Sequence, residues 1–262
     1  MTRCSPLIMD KSPQKIQRMF DSIAPRYDFL NHFLSFGMDY YWRSFAVRQV
    51  LNTGTPDGDI LDVCCGTGDL TFALYKRCPA RRYYGIDFSE AMIVQAKRKT
   101  VRYIPASDNI VSDGGAASFA TGDALHLPFE ENRFAAVTNA FGLRNVSDTQ
   151  GGLAEMVRVC KAGGTVAILD FSMPAMPVLR QLYRFYFTAV LPRIGERFVR
   201  NSAGGNTQIG AAAYRYLPES VSAFDSPQRI AERMRQLGAD DIRIRPLTFG
   251  IAALVWGKKR TA

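Results

Sequence analysis

Apolar residues recur along this chain with two alternating periods, and the switches between them mark its elements. From Ser12 to Leu51 the spacing is helical: Ile16, Met19, Phe20 and Ile23 fall three or four apart, and Trp42, Phe45 and Ala46 obey the same rule. Pro25 ends the first helix, and the aromatic-rich segment Arg26 to Gly37 lies between the two runs. Two readings stand for that segment: an amphipathic cap over one edge of a sheet, or a lid that turns Tyr27 or Asn31 into a site. Ile60, Leu61 and Val63 then form a short apolar run into Gly66-Thr67-Gly68, and Asp69 to Leu74 opens as a helix. Strand, tight glycine turn and helix make the first βα unit of a nucleotide-binding sheet.

The alternation runs on. Arg82 to Asp87 reads as the second strand, and Ser89 caps a helix with Met92, Ile93 and Ala96 on its apolar face. A Ser-, Asp-, Asn- and Gly-rich loop extends from Ala106 to Ser118. Phe119 to Ala124 reads as the third strand with its tip, and Phe134 to Phe141 as the fourth. Leu153, Met156, Val157 and Cys160 form a helix face that Lys161-Ala162-Gly163-Gly164 terminates, and Thr165 to Phe171 is a buried fifth strand. From Met173 to Arg200 the pattern breaks into Pro-punctuated, aromatic-rich helices interleaved with Arg180, Arg184, Arg193, Arg197 and Arg200. Asn201 to Ala213 reads as a flexible loop and Ala223 to Gly238 as a helix, while Ile242 to Arg245 and Ile251 to Trp256 read as a closing hairpin. No repeat or linker divides the chain. It is read as one α/β domain over 1-262: a helical cap over 1-58, a cofactor-binding core over 59-172, a helical substrate-side insertion over 173-240 and closing strands over 241-262.

Composition narrows the class. At 262 residues, 47% hydrophobic and 22% charged, the chain reads as an ordinary globular protein with a substantial core. No amino-terminal stretch resembles a signal peptide, and the longest candidate for membrane burial, Phe185 to Leu191, falls far short of the ~20 residues a spanning helix needs. Cys4, Cys64, Cys65, Cys78 and Cys160 show no metal-ligand spacing, and their odd number argues against a disulfide framework. With His32 and His126 as the sole histidines, a histidine-rich metal site is excluded and no metal is expected. The expected location is cytoplasmic. A net charge of +9 suits nucleic acid, an anionic membrane surface or a solvated basic exterior. No zinc finger, helix-turn-helix or basic run with stacking aromatics accompanies it, so nucleic acid is not an expected partner.

The glycine turn decides the ligand class. A dinucleotide fingerprint needs a third glycine where Thr71 stands, and Asp69 at the helix start would repel a pyrophosphate. A Walker loop needs a lysine that does not follow Gly68. A cationic ligand without phosphate fits better, and S-adenosylmethionine carries both a sulfonium and an ammonium group. Asp87 lies 19 residues beyond Gly68 at the tip of strand two, placed to accept both hydroxyls of a ribose. Asp123 reads either as an acceptor for an adenine amino group, with Ala124 leaving room for the ring, or as a turn carboxylate. Asn139, Ala140, Gly142, Leu143, Arg144 and Asn145 stand at the carboxyl end of the fourth strand, where ligands of open α/β sheets sit.

Taken together, FDSIAPRYDFLNHFLSFGMDYYWR, LDVCCGTGDL, DALHLPFEENRF, AFGLRNV, YRYLPES and LTFGIAAL resemble the ubiquinone/menaquinone biosynthesis C-methyltransferase family, within the class I methyltransferases. The likeness covers nearly the whole chain; RYDFLN and FGLRNV are its distinguishing segments. It implies a Rossmann-like, seven-stranded mixed sheet with a C-terminal β-hairpin, an N-terminal helical cap and a helical insertion. It implies S-adenosyl-L-methionine as cofactor, with Gly66, Thr67, Gly68, Asp87, Asp123, Ala124, Asn139 and Tyr27 on the cofactor side. Arg144 and Asn145 would face the methyl-accepting ring as catalytic residues, Arg144 as the cation opposite a developing phenolate. The implied reaction is C-methylation of a polyprenyl quinol, demethylmenaquinol to menaquinol first. The benzoquinol step of ubiquinone biosynthesis, another small-molecule or RNA methyltransferase, and a non-catalytic scaffold are the alternatives. Peripheral contact with the inner face of a membrane and a homodimer stay open as associations. Three positions depart from the pattern: Cys64 in place of a first glycine, Asn139-Ala140 in place of a hydroxyl or small pair, and a longer Asn201 to Ala213.

Overall fold

The computed structural model describes residues 12–109, 116–174, 176–186, 189 and 216–261. The helical amino-terminal run is three helices, α1 (Pro13–Ile23), α2 (Tyr27–Leu34) and α3 (Met38–Asn52), with a 3-10 turn at Ala24–Arg26 around Pro25. Beyond them lie β1 (Ile60–Val63), α4 (Asp69–Arg77), β2 (Tyr83–Asp87), α5 (Glu90–Tyr103), β3 (Ala117–Thr121), β4 (Phe134–Ala140), α6 (Thr149–Val159), β5 (Cys160–Phe171) and α7 (Pro177–Phe185). Next come a helix over 216–223 (α8), α9 (Pro227–Gln236), β6 (Ala239–Leu247) and β7 (Ala252–Lys259).

The strands form one sheet in the order β3-β2-β1-β4-β5-β7-β6. The first five pair parallel, and β7 runs antiparallel to both β5 and β6. This is the seven-stranded mixed sheet with a closing hairpin that the resemblance implied. Both faces are covered, so side chains of alternating parity enter two separate cores. Leu254 and Trp256 pack with Trp42 and Val47 of α3 and Leu74 of α4; Val255 between them packs with Leu153 and Met156 of α6 and Met234 of α9.

Four expected boundaries move, each because a distant or neighbouring group outweighs local periodicity. Cys160, expected on a helix face, is the first residue of β5: its backbone is extended (φ -72, ψ 140) and it pairs with Phe134. The Lys161–Gly164 segment therefore lies inside the strand, across a register shift, with Gly163 at φ 72. The third strand starts at Ala117 and ends before Gly122, because β2 offers Tyr83 to Asp87 as partners for Ala117 to Thr121. The expected helix from Ala223 to Gly238 begins only at Pro227, because Ala223 ends the preceding helix α8 and a break over 224–226 separates the two. Ser226 before Pro227 is driven to extended backbone (ψ 156) and caps the second with its side chain accepting from Arg229 N–H. The hairpin strands are longer than expected, with a bulge between Asp240 and Arg243. Of the other expectations, the loop Asn201 to Ala213 and Arg193, Arg197 and Arg200 lie outside the described residues, as does 110–115 of the loop after α5.

Candidate active site

Two cavities open at the carboxyl ends of the strands and share a wall made of Tyr27, Arg43 and Phe141. The first, about 120 Å³, lies over the turns after β1, β2, β3 and β4. Its chemistry is set by acids. Asp87 Oδ2 accepts the Gly66 N–H at 2.8 Å and Oδ1 accepts the Ser89 N–H at 2.9 Å, so the strand-two acid also fixes the glycine turn. Burial raises the Asp87 carboxyl above its ordinary value, against those two N–H groups. Asp62, inside β1, is buried and accepts from Thr71 (2.7 Å) and Thr138 (3.2 Å); burial lifts its carboxyl to about 7. Asp62 was not singled out in the sequence, although an acid in the middle of a short apolar strand is a signal by itself.

The turn is tight for steric reasons. Cys64, Gly66 and Gly68 all have positive φ (54, 55 and 87). A Cβ on Gly142 would sit 2.3 Å from Cys64 Cβ, so the loop after β4 must pass bare backbone beside the first turn. Burial raises both Cys64 and Cys65 well above the ordinary thiol value, which keeps them protonated rather than nucleophilic.

The amino-terminal segment closes over this cavity. Ser89 Oγ donates to Asp21 of α1 at 2.5 Å, and Thr67 Oγ1 donates to Asp28 of α2 at the same distance. Lys99 of α5 joins Asp28 (2.5 Å) to Asp69 (2.6 Å), and Arg43 of α3 pairs with Asp39 and, at 3.6 Å, Asp69. Burial pushes Asp69 up, but Arg43 and Lys99 outweigh it and hold the carboxyl below its ordinary value. Asp69 thus anchors the cap. His32, Asp39 and Asp69 present ligand atoms within 4.8 Å of one another, and Arg43 already bridges the two carboxylates.

The second cavity, about 380 Å³, is aromatic and aliphatic: Trp42, Phe141, Phe171, Tyr183, Tyr186 and Ile251 are in its wall, with Asn31 of α2. Arg43 and Arg144 are both buried cations of its wall, and Arg144 is the one tied to β5. Its Nη1 donates to the Phe141 carbonyl and, at 2.9 Å, to Asp170 Oδ1, and its guanidinium stacks 5.2 Å from the Phe171 ring centre. Burial raises the Asp170 carboxyl, against the pull of Arg144. Asp170, at the end of β5, went unnoticed in the sequence because only the fold brings it to Arg144.

The structure sorts the sequence candidates. Gly66, Thr67, Asp87, Asp123, Ala124 and Tyr27 line the first cavity. Asp123 is a turn carboxylate, accepting the Leu125 N–H at 2.9 Å, and it also stands in the cavity wall. Gly68 is not in either wall; its place is conformational, since a Cβ there would meet Phe72 at 2.8 Å. Asn139 is likewise outside both cavities. It is fully buried, donating to the Val63 carbonyl at 2.7 Å and accepting the Leu143 N–H at 3.1 Å, which ties β1 to the turn after β4. Arg144 and Asn145 part company: the 3-10 turn Leu143–Asn145 sends Arg144 to the second cavity and Asn145 to the first, where Asn145 Oδ1 accepts from Tyr216 at 3.1 Å. Burial raises the phenol of Tyr27, which lies between them. His126 lies on the surface beside Asp123 (3.4 Å).

Four buried or half-buried carboxylates, Asp62, Asp69, Asp87 and Asp123, surround a cavity whose described wall has no lysine and whose one arginine, Arg43, is paired with Asp39 and Asp69; they suit a cationic ligand that offers hydroxyls, and not a phosphate. S-adenosylmethionine meets that description.

Comparison with known proteins agrees with the geometry. A family model described as the ubiE/COQ5 methyltransferase family matches residues 8–259. The ubiquinone/menaquinone biosynthesis C-methyltransferase UbiE of Geotalea daltonii is 42% identical over 247 residues, 94% of this chain and 97% of that protein. The demethylmenaquinone methyltransferase of Deinococcus radiodurans is 43% identical, over 97% and 98% of the two chains. Among solved structures, a SAM-dependent methyltransferase of Thermotoga maritima shares the fold at 17% identity, with a TM-score of 0.57 over 94% of this chain and 100% of that one.

Proposed function

The chain belongs to the ubiE/COQ5 methyltransferase family, and from that premise we propose that it transfers a methyl group from S-adenosyl-L-methionine to a ring carbon of a polyprenyl quinol, demethylmenaquinol first. One observation carries the reading: a carboxylate-lined cavity and an aromatic cavity holding a buried arginine meet at Tyr27, Arg43 and Phe141. A polar cationic donor and an apolar aromatic acceptor require such a pair of chambers with a common wall.

Asp87 would take the ribose hydroxyls, Asp123 and Ala124 the base, and Asp62 would face the positive end of the ligand. The bound cofactor supplies an electrophilic methyl group. The acceptor must be the reduced quinol, whose hydroxyl pushes electron density onto the neighbouring ring carbon. Arg144 stabilises the phenolate that develops there, and in a dry cavity such a fixed cation lowers the barrier by several kcal/mol, roughly 2.7–4 in comparable sites. Asp170 positions that guanidinium. An arginine is a poor base, so the hydroxyl proton leaves through water; the methyl–sulfur bond would break as the carbon–methyl bond forms, leaving a neutral thioether, and the ring carbon's own proton would then pass through water to the oxygen and restore the aromatic hydroxyl. The cap ties of Asp28, Lys99 and Asp69 hold α2 over the junction and restrict solvent. A polyprenyl tail partitions into lipid, so the protein works in peripheral contact with a membrane surface; no helix among the described residues is long and apolar enough to cross one.

The test is methyl transfer from labelled S-adenosylmethionine to a short-tailed demethylnaphthoquinol, with and without reductant. Product that appears only under reducing conditions and collapses in Arg144→Ala is the expected result. Equal methylation of the oxidised quinone, or transfer to a benzoquinol alone, would overturn the mechanism or the acceptor respectively.

A further inference from the structure

Around the mouth of the aromatic cavity, side chains that folding ordinarily buries stand in solvent. Phe36 (81% exposed), Leu182 (60%) and Phe249 (77%) line the cavity and are exposed as well, which puts them at its opening. On α7, Val178, Leu182 and Phe185 recur four and three residues apart and so share one stripe of the helix; all three are exposed. The adjoining stripe, Leu179 and Tyr183, forms the cavity wall. The helix is thus apolar on its protein side and beyond it.

Backbone strain displays the same rim. Phe36 (φ 51) and Phe249 (φ 56) both lie in the left-handed region, which bulky residues enter only where the surrounding fold enforces it. Trp42 Nε1 donates to Thr248 Oγ1 at 2.8 Å and holds the hairpin tip from beneath, leaving Phe249 outward. Exposed arginines stand on two of the flanking elements, α7 and β6. α7 contains no acid and carries exposed Arg180, and on β6 the exposed Arg243 and Arg245 share a strand face with Leu247, which packs into the α3-side core.

We propose that this rim is a docking face for a lipid bilayer with anionic headgroups. Phe36, Val178, Leu182, Phe185 and Phe249 enter the acyl boundary, while Arg180, Arg243 and Arg245 meet the headgroups. The aromatic cavity then opens directly into lipid. A second copy seated on this face would close the mouth, whereas a bilayer keeps it in contact with the medium that holds an apolar tail. The use of the face rests on the quinol reading; the docking itself is measured without it.

The experiment compares wild type with Val178→Glu/Phe185→Glu, two positions outside both cavity walls, in flotation with phosphatidylglycerol/phosphatidylethanolamine vesicles and with phosphatidylcholine alone. Wild type floats with the anionic vesicles, and the double variant partitions at least roughly tenfold less. Methylation of a short-tailed quinol in buffer stays at the wild-type rate, which also shows that the variant is folded, while methylation of a long-tailed quinol embedded in vesicles is lost. A Phe185→Trp variant gives a second readout: its fluorescence shifts to the blue and is quenched by brominated lipid. Equal flotation of wild type and double variant, or no flotation of either, overturns the docking face. So does a wild-type dimer that the double variant splits, because the occupant is then a second copy. Flotation that depends on α7 without any quinol methylation leaves the docking face standing and overturns the acceptor reading instead.

Discussion

The cavity at the strand tips takes its walls from the turns after β1, β2, β3 and β4, whereas the aromatic one is assembled from α2, α3, the end of β5, α7 and the tip between β6 and β7. In the first, the acids at the tips of β2 and β3 lean on turn backbone, Asp87 on the N–H groups of Gly66 and Ser89 and Asp123 on that of Leu125, while Asp62 and Asp69 take side-chain partners from other elements. In the second, the working cation is positioned by an acid 26 residues away on another strand. The difference is one of degree: the first site keeps part of its chemistry in turn backbone, whereas the cation of the second is positioned only once distant segments pack.

The largest effect should come from breaking the packed site at Arg144. Arg144→Ala leaves Asp170 buried without its cation, which costs about 3–5 kcal/mol of stability, and turnover should fall roughly 10²–10³-fold. Because Arg144 lies outside the first cavity, cofactor affinity should be untouched. The pair Arg144→Met with Asp170→Leu should recover stability in urea titrations but not turnover. Equal loss of cofactor affinity in Arg144→Ala would mean that the two cavities are not separable.

The first cavity should show itself through pH. Burial holds Asp62 at about 7 rather than 3.8, so folding takes up a proton on this carboxyl between those values. Its contribution is complete below about pH 4 and is lost as pH rises to about 7, an upper limit of roughly 4 kcal/mol for a shift of that size. Denaturation of wild type and Asp62→Asn across that range should therefore diverge, with the variant gaining relative stability as pH rises. A cationic ligand beside Asp62 favours the ionised form, so S-adenosylmethionine should bind more tightly as pH rises through 7, with a proton released in calorimetry. A flat profile in both experiments removes Asp62 from the cavity's electrostatics.

Smaller losses should appear at the turns. Asp87→Ala removes the acceptor for two backbone N–H groups and should weaken cofactor binding by about 1.5–3 kcal/mol, while binding of a quinol analogue persists. Asp123→Ala should cost only about 0.5–1.5 kcal/mol of stability, and Asp123→Asn less, because an amide oxygen still accepts from Leu125. If Asp123→Asn lowers cofactor affinity as much as Asp123→Ala, the carboxylate acts on the ligand rather than on its own turn.

Residue order alone is informative about whatever repeats over a few positions. The period of apolar positions distinguished helix from strand; Gly66-Thr67-Gly68 announced the turn; an acid 19 residues on marked the tip of strand two; and Ser89 announced a helix start that its side chain duly caps through Met92 N–H. These signals are local because sterics and capping are local. Tertiary structure decided the rest. It made Cys160 a strand residue, since β4 presents Phe134 as a partner. It left Asn139 and Gly68 outside both cavity walls and turned Arg144 and Asn145, adjacent in sequence, into different chambers. It also brought Asp170 to Arg144, and Lys99 and Arg43 to Asp69. Burial is the physical reason: a charge removed from water must find its partner wherever packing places one, and sequence distance does not enter that balance.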